Sequence, residues 1–423
     1  MHHRRGGGHD PEVTPRLHSI VGAPGARITD PAHALALAAE LSASFAEGAA
    51  ARDAHRELPH AQVQALKDSG LLALSVPIEY GGIAAPATVL AEVFRLLAHG
   101  DPSLAQIPHS HFTFLEALRL QGSDAQRAFF YEKVLGGALF ANAQSEKGPH
   151  PIDVDATTLI RDGEDYVLRG RKYYSTGALF ADWVIVRASL PDSPGQTPTS
   201  STPKALAFIA ADTDGLQVVD DWDGMGQRTT ASGTVTLDEV RVPISQVVPF
   251  TPIFSRPTTY GARAQLLHAA LDVGIATAAL GEGVRQAAKA RPHFEAGVDS
   301  AAGDPTVVQI AGELTVTVRG AQALLVEAAR AVDSAAADLD EDSSAAASVA
   351  VAIAKVAATR ASLDASSTLF ELGGTRSASG AANLSRYWRD ARTHTLHDAT
   401  RWKVQHIGRY TLSGTKPPRH GQL

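Results

Sequence analysis

Residues 158–174 read TLIRDGEDYVLRGRKYY, and this stretch decides how the rest of the chain is divided. Apolar and polar residues alternate on both sides of Asp162-Gly163, which predicts a β-hairpin with a tight turn. Further strand-like runs lie nearby, including ADWVIVRA from residue 181 and TVTLDEVRV from residue 234. Closely spaced short strands without helices between them favour a small antiparallel barrel or sandwich.

Helical periodicity flanks this strand region on both sides. Leu37, Leu41 and Phe45 recur at every fourth residue before it, and Leu267 and Leu271 do so after it. The order of helices, strands and helices predicts an α+β fold that is mainly α. The predicted division is a flexible N-terminal arm over 1–27, a helical domain over 28–138, a β-barrel domain over 139–250, a helical bundle over 251–406 and a C-terminal tail over 407–423.

Composition excludes several classes of function. The 423 residues carry a net charge of −7 and no local basic patch, which argues against a nucleic-acid-binding protein. The chain has no cysteine, so disulfides, thiolate nucleophiles, Cys-ligated zinc and iron–sulfur clusters are excluded. The opening MHHRRGGGHDPEV resembles neither a signal peptide nor a membrane anchor, and no run of 18 apolar residues follows. We therefore expect a cytoplasmic location and no membrane contact.

The 17 histidines include a dense cluster near the C-terminus, in RYWRDARTHTLHDATRWKVQH over residues 386–406. His394 and His397 are three residues apart and would share one face of a helix, with Asp398 next to them. A structural role as a polar helix end is the alternative. A metal site would need a third ligand at recognisable spacing, and none is present, so we predict no metal.

Three other segments contain polar side chains that could act in catalysis or ligand binding. IPHSHF contains His109 and His111, which would lie about 200° apart on a helix, so that only one could face a cleft. ANAQSEKG places Asn142 and Ser145 among small residues, and Thr176 precedes a glycine at a strand end. No G-x-S-x-G elbow, P-loop or G-x-G-x-x-G fingerprint occurs, so reducing power would have to arrive on another carrier.

Five motifs, in this order, resemble those of the acyl-CoA dehydrogenase superfamily. They are VPIEYGG (76–82), NAQSEKG (142–148), GRKYYSTGALFADW (170–183), GMGQRTTASGTVTLDEVRVP (224–243) and YWRDARTHTLHDAT (387–400). The resemblance implies an N-terminal helical domain, a central antiparallel β-barrel and a C-terminal four-helix bundle. It also implies a homotetramer that holds flavin between domains and subunits.

The sequence departs from that superfamily where its catalytic glutamate is expected. The Y-E-G-T glutamate corresponds to Asp398, preceded by His397, and the second usual location corresponds to LLHAALDVG, which has no glutamate. Asp is one methylene shorter, and a base tolerates little displacement from its proton. Abstraction of an α-proton therefore lacks its expected residue.

The combination of ARTHTLHD and HSHF instead resembles a flavin monooxygenase branch of the superfamily. This branch includes dibenzothiophene monooxygenase and, in closer resemblance, the SfnB family of sulfur-acquisition oxidoreductases. In it, FMNH₂ from a separate NAD(P)H-flavin reductase reacts with O₂ to give a C4a-(hydro)peroxyflavin. The resemblance thus implies oxygenation of a small organosulfur compound of the sulfone, sulfinate or thiophene type.

The resemblance also assigns roles to residues. His397 would be the principal acid/base, His111 would face it across the flavin, and His394 would orient it or donate a second proton. Asp398 would fix the imidazole tautomer or face solvent. The implied cofactor contacts are Asn142, Ser145, Thr176 and Trp222 at the flavin ring, and Arg291, Gly373, Gly374 and Arg376 at its phosphate.

Two other functions stay open at this point. An FAD-dependent acyl-CoA dehydrogenase would bind FAD tightly and oxidise an acyl thioester. A flavin-binding assembly protein without activity is the third class. The choice of FMN over FAD follows the resemblance, since no residue by itself excludes an adenine.

Overall fold

The computed structural model describes residues 27–149 and 151–423. The predicted N-terminal arm lies outside these residues, apart from Arg27.

The N-terminal helical domain is confirmed as a set of amphipathic helices with clear start signals. Asp30 caps the first helix by accepting a hydrogen bond from the backbone N–H of His33 at 2.9 Å, and Pro31 occupies its first position. Ser123 and Gln126 form a reciprocal capping box on the last helix. The helices are α1 (Pro31–Ala46), α2 (Ala49–His55), α3 (His60–Asp68), α4 (Ala87–Gly100), α5 (Pro102–Gln106), α6 (His109–Gln121) and α7 (Asp124–Leu135).

The central domain is a sheet of eight strands among the described residues. They are β1 (Phe140–Ala143), β2 (Thr158–Asp162), β3 (Asp165–Lys172), β4 (Trp183–Ser189), β5 (Lys204–Ala210), β6 (Leu216–Val219), β7 (Thr234–Pro243) and β8 (Val247–Pro249). Their order is β6-β7-β3-β2-β4-β5-β8, with β1 beside β4. The predicted hairpin is β2–β3, and Gly163 in its turn has a φ of +64°, where glycine is favoured.

Strand direction corrects one detail of the predicted barrel. Both β1 and β2 run parallel to β4, so the sheet is mixed rather than antiparallel throughout. The long segments 144–157 and 173–182 lie between these strands in the chain, and connections of that length allow parallel pairing. β1 thereby lies between the sheet and α6, at the boundary of the two domains.

The C-terminal bundle contains three long helices, α8 (Tyr260–Ala287), α9 (Pro305–Ala337) and α10 (Glu341–Gly373). Two shorter helices, α11 (Ser385–His394) and α12 (Thr400–Ser413), pack against α10. The last helix thus continues seven residues beyond the predicted start of the tail, from 407 to 413. The chain then returns to α8, where a Cβ on Gly261 would lie 2.0 Å from the carbonyl oxygen of the buried Leu423.

Within residues 27–149 and 151–423, two helices, Tyr260–Ala287 and Glu341–Ala378, are long and apolar enough to cross a membrane. Their most apolar windows are 83% and 61% buried inside the protein, as expected for core helices of a bundle.

Helix α4 of the N-terminal domain packs directly on α8 of the bundle, so one hydrophobic core runs through both. Gly274 allows this approach, because a Cβ there would lie 2.6 Å from both the Ala98 Cβ and the Arg95 carbonyl oxygen.

We expect Gly274→Ala to lower the free energy of unfolding by about 1–3 kcal/mol, because it forces α4 and α8 apart. Urea unfolding measures this change. The matched control is Gly312→Ala in α9, where a Cβ meets nothing within 4 Å. That control should gain up to about 1 kcal/mol from helix propensity alone. Equal effects of the two substitutions would show that the α4–α8 contact is not close-packed.

Candidate active site

Four histidine side chains meet where α6, α8 and α11 converge. The His268 ring lies in the middle, with ring centroids 3.7 Å from His109 and 4.0 Å from His397. Its Nδ1 lies 2.9 Å from Nε2 of His394. We call these four residues the histidine cluster.

Local structure places each member. His109 is the first residue of α6, and His268 lies in the third turn of α8. His394 is the last residue of α11, where a turn follows in which the backbone N–H of His397 donates to the His394 carbonyl at 3.0 Å. The turn keeps His397 beside the cluster and leaves this residue exposed, whereas His109, His268 and His394 are buried.

A buried ion pair contacts the cluster through His394. The Asp272 carboxylate accepts from Lys355 Nζ at 2.6 Å and from Thr359 at 3.2 Å, and its other oxygen lies 2.5 Å from Nδ1 of His394. Asp272 and Lys355 are both fully buried. A buried charge is tolerated when it is paired and hydrogen-bonded, and here three groups satisfy one carboxylate.

The surroundings keep three imidazoles of the cluster neutral. Burial lowers the pKa of His109 to about 3, although its hydrogen bond to the Ala264 carbonyl opposes this. Burial and the neighbouring histidines lower the pKa of His268 well below 6.5. Desolvation by the surrounding protein also lowers the pKa of His397, partly offset by Asp398. His109, His268 and His397 are therefore neutral hydrogen-bonding rings near pH 7.

The prediction that His111 faces His397 is wrong. His111 is fully buried in the N-terminal domain, where its Nδ1 accepts from the backbone N–H of Phe140 at 3.1 Å and its Nε2 donates to the Leu72 carbonyl at 2.9 Å. Two residues along a helix rotate the side chain by about 200°, so α6 turns His109 toward the cluster and His111 away from it. His111 joins α6 to β1 and has no free nitrogen.

Asp398 takes neither of the two predicted roles. It is buried, and its carboxylate pairs with Lys403 Nζ at 2.6 Å. Lys403 also donates to the backbone carbonyl of Gln422 at 2.7 Å, which ties the C-terminal residues to this corner of the site.

A second group of polar residues lies at strand ends of the sheet. The Thr176 hydroxyl bonds Ser232 at 2.8 Å, Ser232 bonds Thr230 at 2.7 Å, and Thr230 donates to the Gln227 carbonyl at 3.0 Å. Since Thr230 donates, Ser232 donates to Thr230 and Thr176 donates to Ser232, which leaves the Thr176 oxygen free to accept. Trp222 donates to the same Gln227 carbonyl at 2.9 Å. We call these five residues the ring patch.

Backbone strain is concentrated at this patch. Tyr174, Gln227 and Ala231 all have positive φ, at 56°, 46° and 49°. Such conformations cost energy in residues other than glycine and cluster at functional sites. Asn142 lies beside them and donates to the Tyr174 carbonyl at 3.2 Å.

The ring patch and the histidine cluster are joined through α11. The backbone N–H of Gln227 donates to Asp390 at 2.6 Å, one helical turn before His394. Burial raises the pKa of Asp390 to about 7, and the nearby Asp53 adds to this effect. Both sets of side chains therefore belong to one site between the three domains.

The other predicted cofactor residues fall into two locations. Ser145 pairs with Tyr173 in a β-bridge, and the buried Lys172 fixes its segment by donating to the Gln144 carbonyl at 3.1 Å. Arg291, Gly373, Gly374 and Arg376 lie at the far end of the bundle, where a Cβ on Gly373 would touch Gln286. Helix α8 alone separates that end from His268 by about 30 Å.

Family models match the three domains in chain order. They are the acyl-CoA dehydrogenase N-terminal domain over residues 35–138, the middle domain over 140–240 and the C-terminal domain over 266–402. The chain belongs to the acyl-CoA dehydrogenase family. The family and three-domain fold predicted from the sequence are therefore confirmed.

Relatives within the acyl-CoA dehydrogenase family align over nearly the whole chain. Dibenzothiophene monooxygenase of Rhodococcus qingshengii is 32% identical, over 90% of this chain and 94% of that one. The probable FMNH₂-dependent monooxygenase SfnC of Pseudomonas putida is also 32% identical, over 92% and 97%. The crystal structure of FMN-bound TdsC from Paenibacillus sp. A11-2 superposes with a TM-score of 0.86 at 31% identity, over 92% and 100%.

The sequence analysis missed three residues of this acyl-CoA dehydrogenase-type site. His268 and Asp272 lie four residues apart in LLHAALDVG, a spacing that places them on one helix face. That stretch lacks the family's glutamate, and its histidine and aspartate belong to the site instead. Lys355 is an isolated charge in an Ala-rich helix, and an isolated charge among apolar residues is the sequence signal for a buried ion pair.

A small pocket, partly open to solvent, lies beside the cluster. Its lining residues Thr113 and Ala264 are one helical turn from His109 and His268, respectively. Most of its wall is apolar and comes from α4, α6 and α8.

Neutral buried histidines predict how stability depends on pH. The pKa of His111 is about 4 when folded, against 6.5 in its ordinary state, so the unfolded chain binds more protons below pH 6.5. Stability should therefore fall as the pH decreases from 6.5, by up to about 1.4 kcal/mol per pH unit for each such histidine.

The His111→Gln variant should show a shallower fall between pH 6.5 and pH 5, measured by urea unfolding at each pH. The exposed His33 provides the control, because His33→Gln should leave the wild-type slope unchanged. A His111→Gln slope equal to that of the wild type would contradict the buried neutral state.

Proposed function

We propose that this protein is a monooxygenase that uses reduced FMN and O₂ to oxygenate a small organosulfur compound. The observation that carries the proposal is the histidine cluster, which occupies the place where a dehydrogenase needs a free carboxylate. The names of the relatives support the same activity, since they include a dibenzothiophene monooxygenase and an FMNH₂-dependent monooxygenase.

The carboxylates near the cluster are engaged elsewhere. Asp398 pairs with Lys403, and Asp272 is held by Lys355, Thr359 and His394. Although burial opposes it, the neighbouring cations lower the pKa of both carboxylates, which makes them weak bases near pH 7. The site therefore disfavours the acyl-CoA dehydrogenase alternative, in which a carboxylate abstracts an α-proton.

The ring patch fits a reduced isoalloxazine ring. Its free acceptor is the Thr176 oxygen, which suits an N–H group of the reduced ring, and Trp222 and Tyr174 add aromatic surface 6.2 Å apart. Asn142, Ser145 and Trp222 would hold the ring with Thr176. Reduced FMN, when bound, supplies two electrons and activates O₂ for transfer to sulfur.

The histidines handle protons and limit access of water. His397 is the exposed member of the cluster, so it is the one that can exchange a proton with solvent while contacting the buried rings. A neutral imidazole can donate through one nitrogen and accept through the other. We assign His397 as the acid/base residue, with His109 taking the position expected for His111 and His394 orienting the cluster.

The residues predicted to bind the flavin phosphate favour an oligomer. Arg291, Gly373, Gly374 and Arg376 lie too far from His268 for one chain to place them around the same flavin. An arginine fork binds phosphate oxygens well, and a second copy of the chain would supply it. We propose a homotetramer, as the family resemblance implies, acting in the cytoplasm with a separate NAD(P)H-flavin reductase.

The pocket beside the cluster suits a small substrate with an apolar part and a polar sulfur group. Leu90, Phe112 and Leu267 provide the apolar wall. Arg263 and Glu116, which lie 3.7 Å apart, place polar and charged groups on the same wall. Sulfones, sulfinates and thiophenes all combine these two features in different proportions.

His397→Ala should reduce oxygenated product by about 10²–10⁴-fold with FMN binding retained, because the residue acts on protons rather than on cofactor affinity. Product is measured with supplied FMNH₂ and O₂ over a panel of small sulfur compounds, and FMN binding by fluorescence. His33→Ala, on the surface of α1, is the matched histidine control. Full product yield from His397→Ala would refute the assigned role.

A further inference from the structure

The contacts within the histidine cluster determine which ring nitrogens carry hydrogen. The chain of contacts starts at the buried Lys355–Asp272 pair and runs through His394 to His268. Once the first donor is known, and with one hydrogen on each imidazole ring, every link has one possible donor.

Asp272 fixes the first link. Its carboxylate accepts from Lys355 and Thr359, and although burial opposes ionisation, Lys355 and His394 hold its pKa at about 2. An ionised carboxylate can only accept, so Nδ1 of His394 must donate to it. Lys355 already balances the charge of Asp272, so a proton added to the buried His394 would be a second, uncompensated charge. With one hydrogen on the His394 ring, its Nε2 carries a lone pair.

That lone pair fixes His268. Nε2 of His394 lies 2.9 Å from Nδ1 of His268, and because His394 can only accept there, Nδ1 of His268 must donate. The neutral His268 ring therefore has its lone pair on Nε2, which points away from His394 and forms no hydrogen bond with a described residue.

The neighbouring His109 ring also has one accepting nitrogen, which a separate hydrogen bond determines. Nε2 of His109 lies 2.9 Å from the Ala264 carbonyl, which only accepts, so His109 donates there and keeps its lone pair on Nδ1. The two rings stack at 3.7 Å. The site thus contains two accepting nitrogens on adjacent rings.

We propose that Nε2 of His268 is a hydrogen-bond acceptor of the active site, and that His394, Asp272 and Lys355 are positioning residues that fix its tautomer. The ligand group that such a nitrogen recognises is a hydroxyl or a protonated oxygen on a bound reactant. The tautomer follows from the hydrogen bonds and does not depend on the proposed function. The identity of the reactant that bonds to Nε2 rests on the proposed function.

The charged surroundings explain why the acceptor persists. The groups that face His268 are His109 from α6, Lys355 from α10, His394 from α11 and His397 from the following turn. All four disfavour a positive charge on the ring, and Asp272 is already neutralised by Lys355. His268 therefore orients a donor without taking up its proton in the resting enzyme.

Neutron diffraction from crystals of the deuterated wild-type protein at pH 7 tests the tautomer directly. We expect deuterium on Nδ1 of His268 and Nδ1 of His394, and none on Nε2 of either ring. Deuterium on Nε2 of His268 would overturn the proposal. This experiment needs no variant, so it decides the question even if substitutions prevent folding.

The variant Asp272→Asn tests the consequence. An amide can accept from Lys355 and donate to His394, which would reverse both tautomers and turn Nε2 of His268 into a donor. We expect kcat to fall by about 10²–10⁴-fold with the KM for FMNH₂ unchanged, as expected when an orienting carboxylate is lost and the tautomer is wrong. An unchanged kcat in the folded variant would overturn the proposed role.

The control is Asp398→Asn, which alters the second buried Asp–Lys pair of the site, at 2.6 Å, without a hydrogen bond to a histidine. Neutron diffraction should show deuterium on Nδ1 of His268 in this variant as in the wild type. A reversed tautomer in the control would show that local charge, rather than the Asp272 hydrogen bonds, determines the tautomer of His268.

Absence of any oxygenation by the wild type would reject the proposed function. The tautomer measured by neutron diffraction would not be affected by that result.

Discussion

The site depends on one buried carboxylate. Asp272 lies in the middle of α8, fully buried, and three groups from α10 and α11 satisfy it. Removing Lys355 would leave the buried carboxylate without its charge partner, which costs several kcal/mol in a protein interior. The need to satisfy this carboxylate therefore ties α8, α10 and α11 together, and through His394 it sets the positions of the other histidines.

The fold could be predicted because periodicity reports directly on exposure. The change from period 3.6 to period 2 and back marked the three domains, and the β2–β3 hairpin lies where the sequence placed it. The parallel pairing of β1 and β2 with β4 could not be predicted, because it depends on contacts between distant segments. Local periodicity carries no information on strand direction.

The site was predicted less completely than the fold. His394 and His397 were identified because their spacing is short, and the structure brings them to one place. The sequence does not distinguish His109 from His111, because packing sets the rotation of α6 about its axis. The role of Lys355 could not be predicted, because burial of this charge becomes evident only when its partner Asp272, 83 residues away in the chain, lies beside it.

In the proposed function, histidines stand where a dehydrogenase has its carboxylate, and the chemistry is oxygen transfer instead of dehydrogenation. Mass spectrometry of the product formed under ¹⁸O₂ with supplied FMNH₂, and without nicotinamide, tests this most directly. We predict one ¹⁸O atom in the oxidised sulfur compound for each turnover. Product without label, or flavin reduction by an acyl thioester in the absence of oxygen, would contradict it.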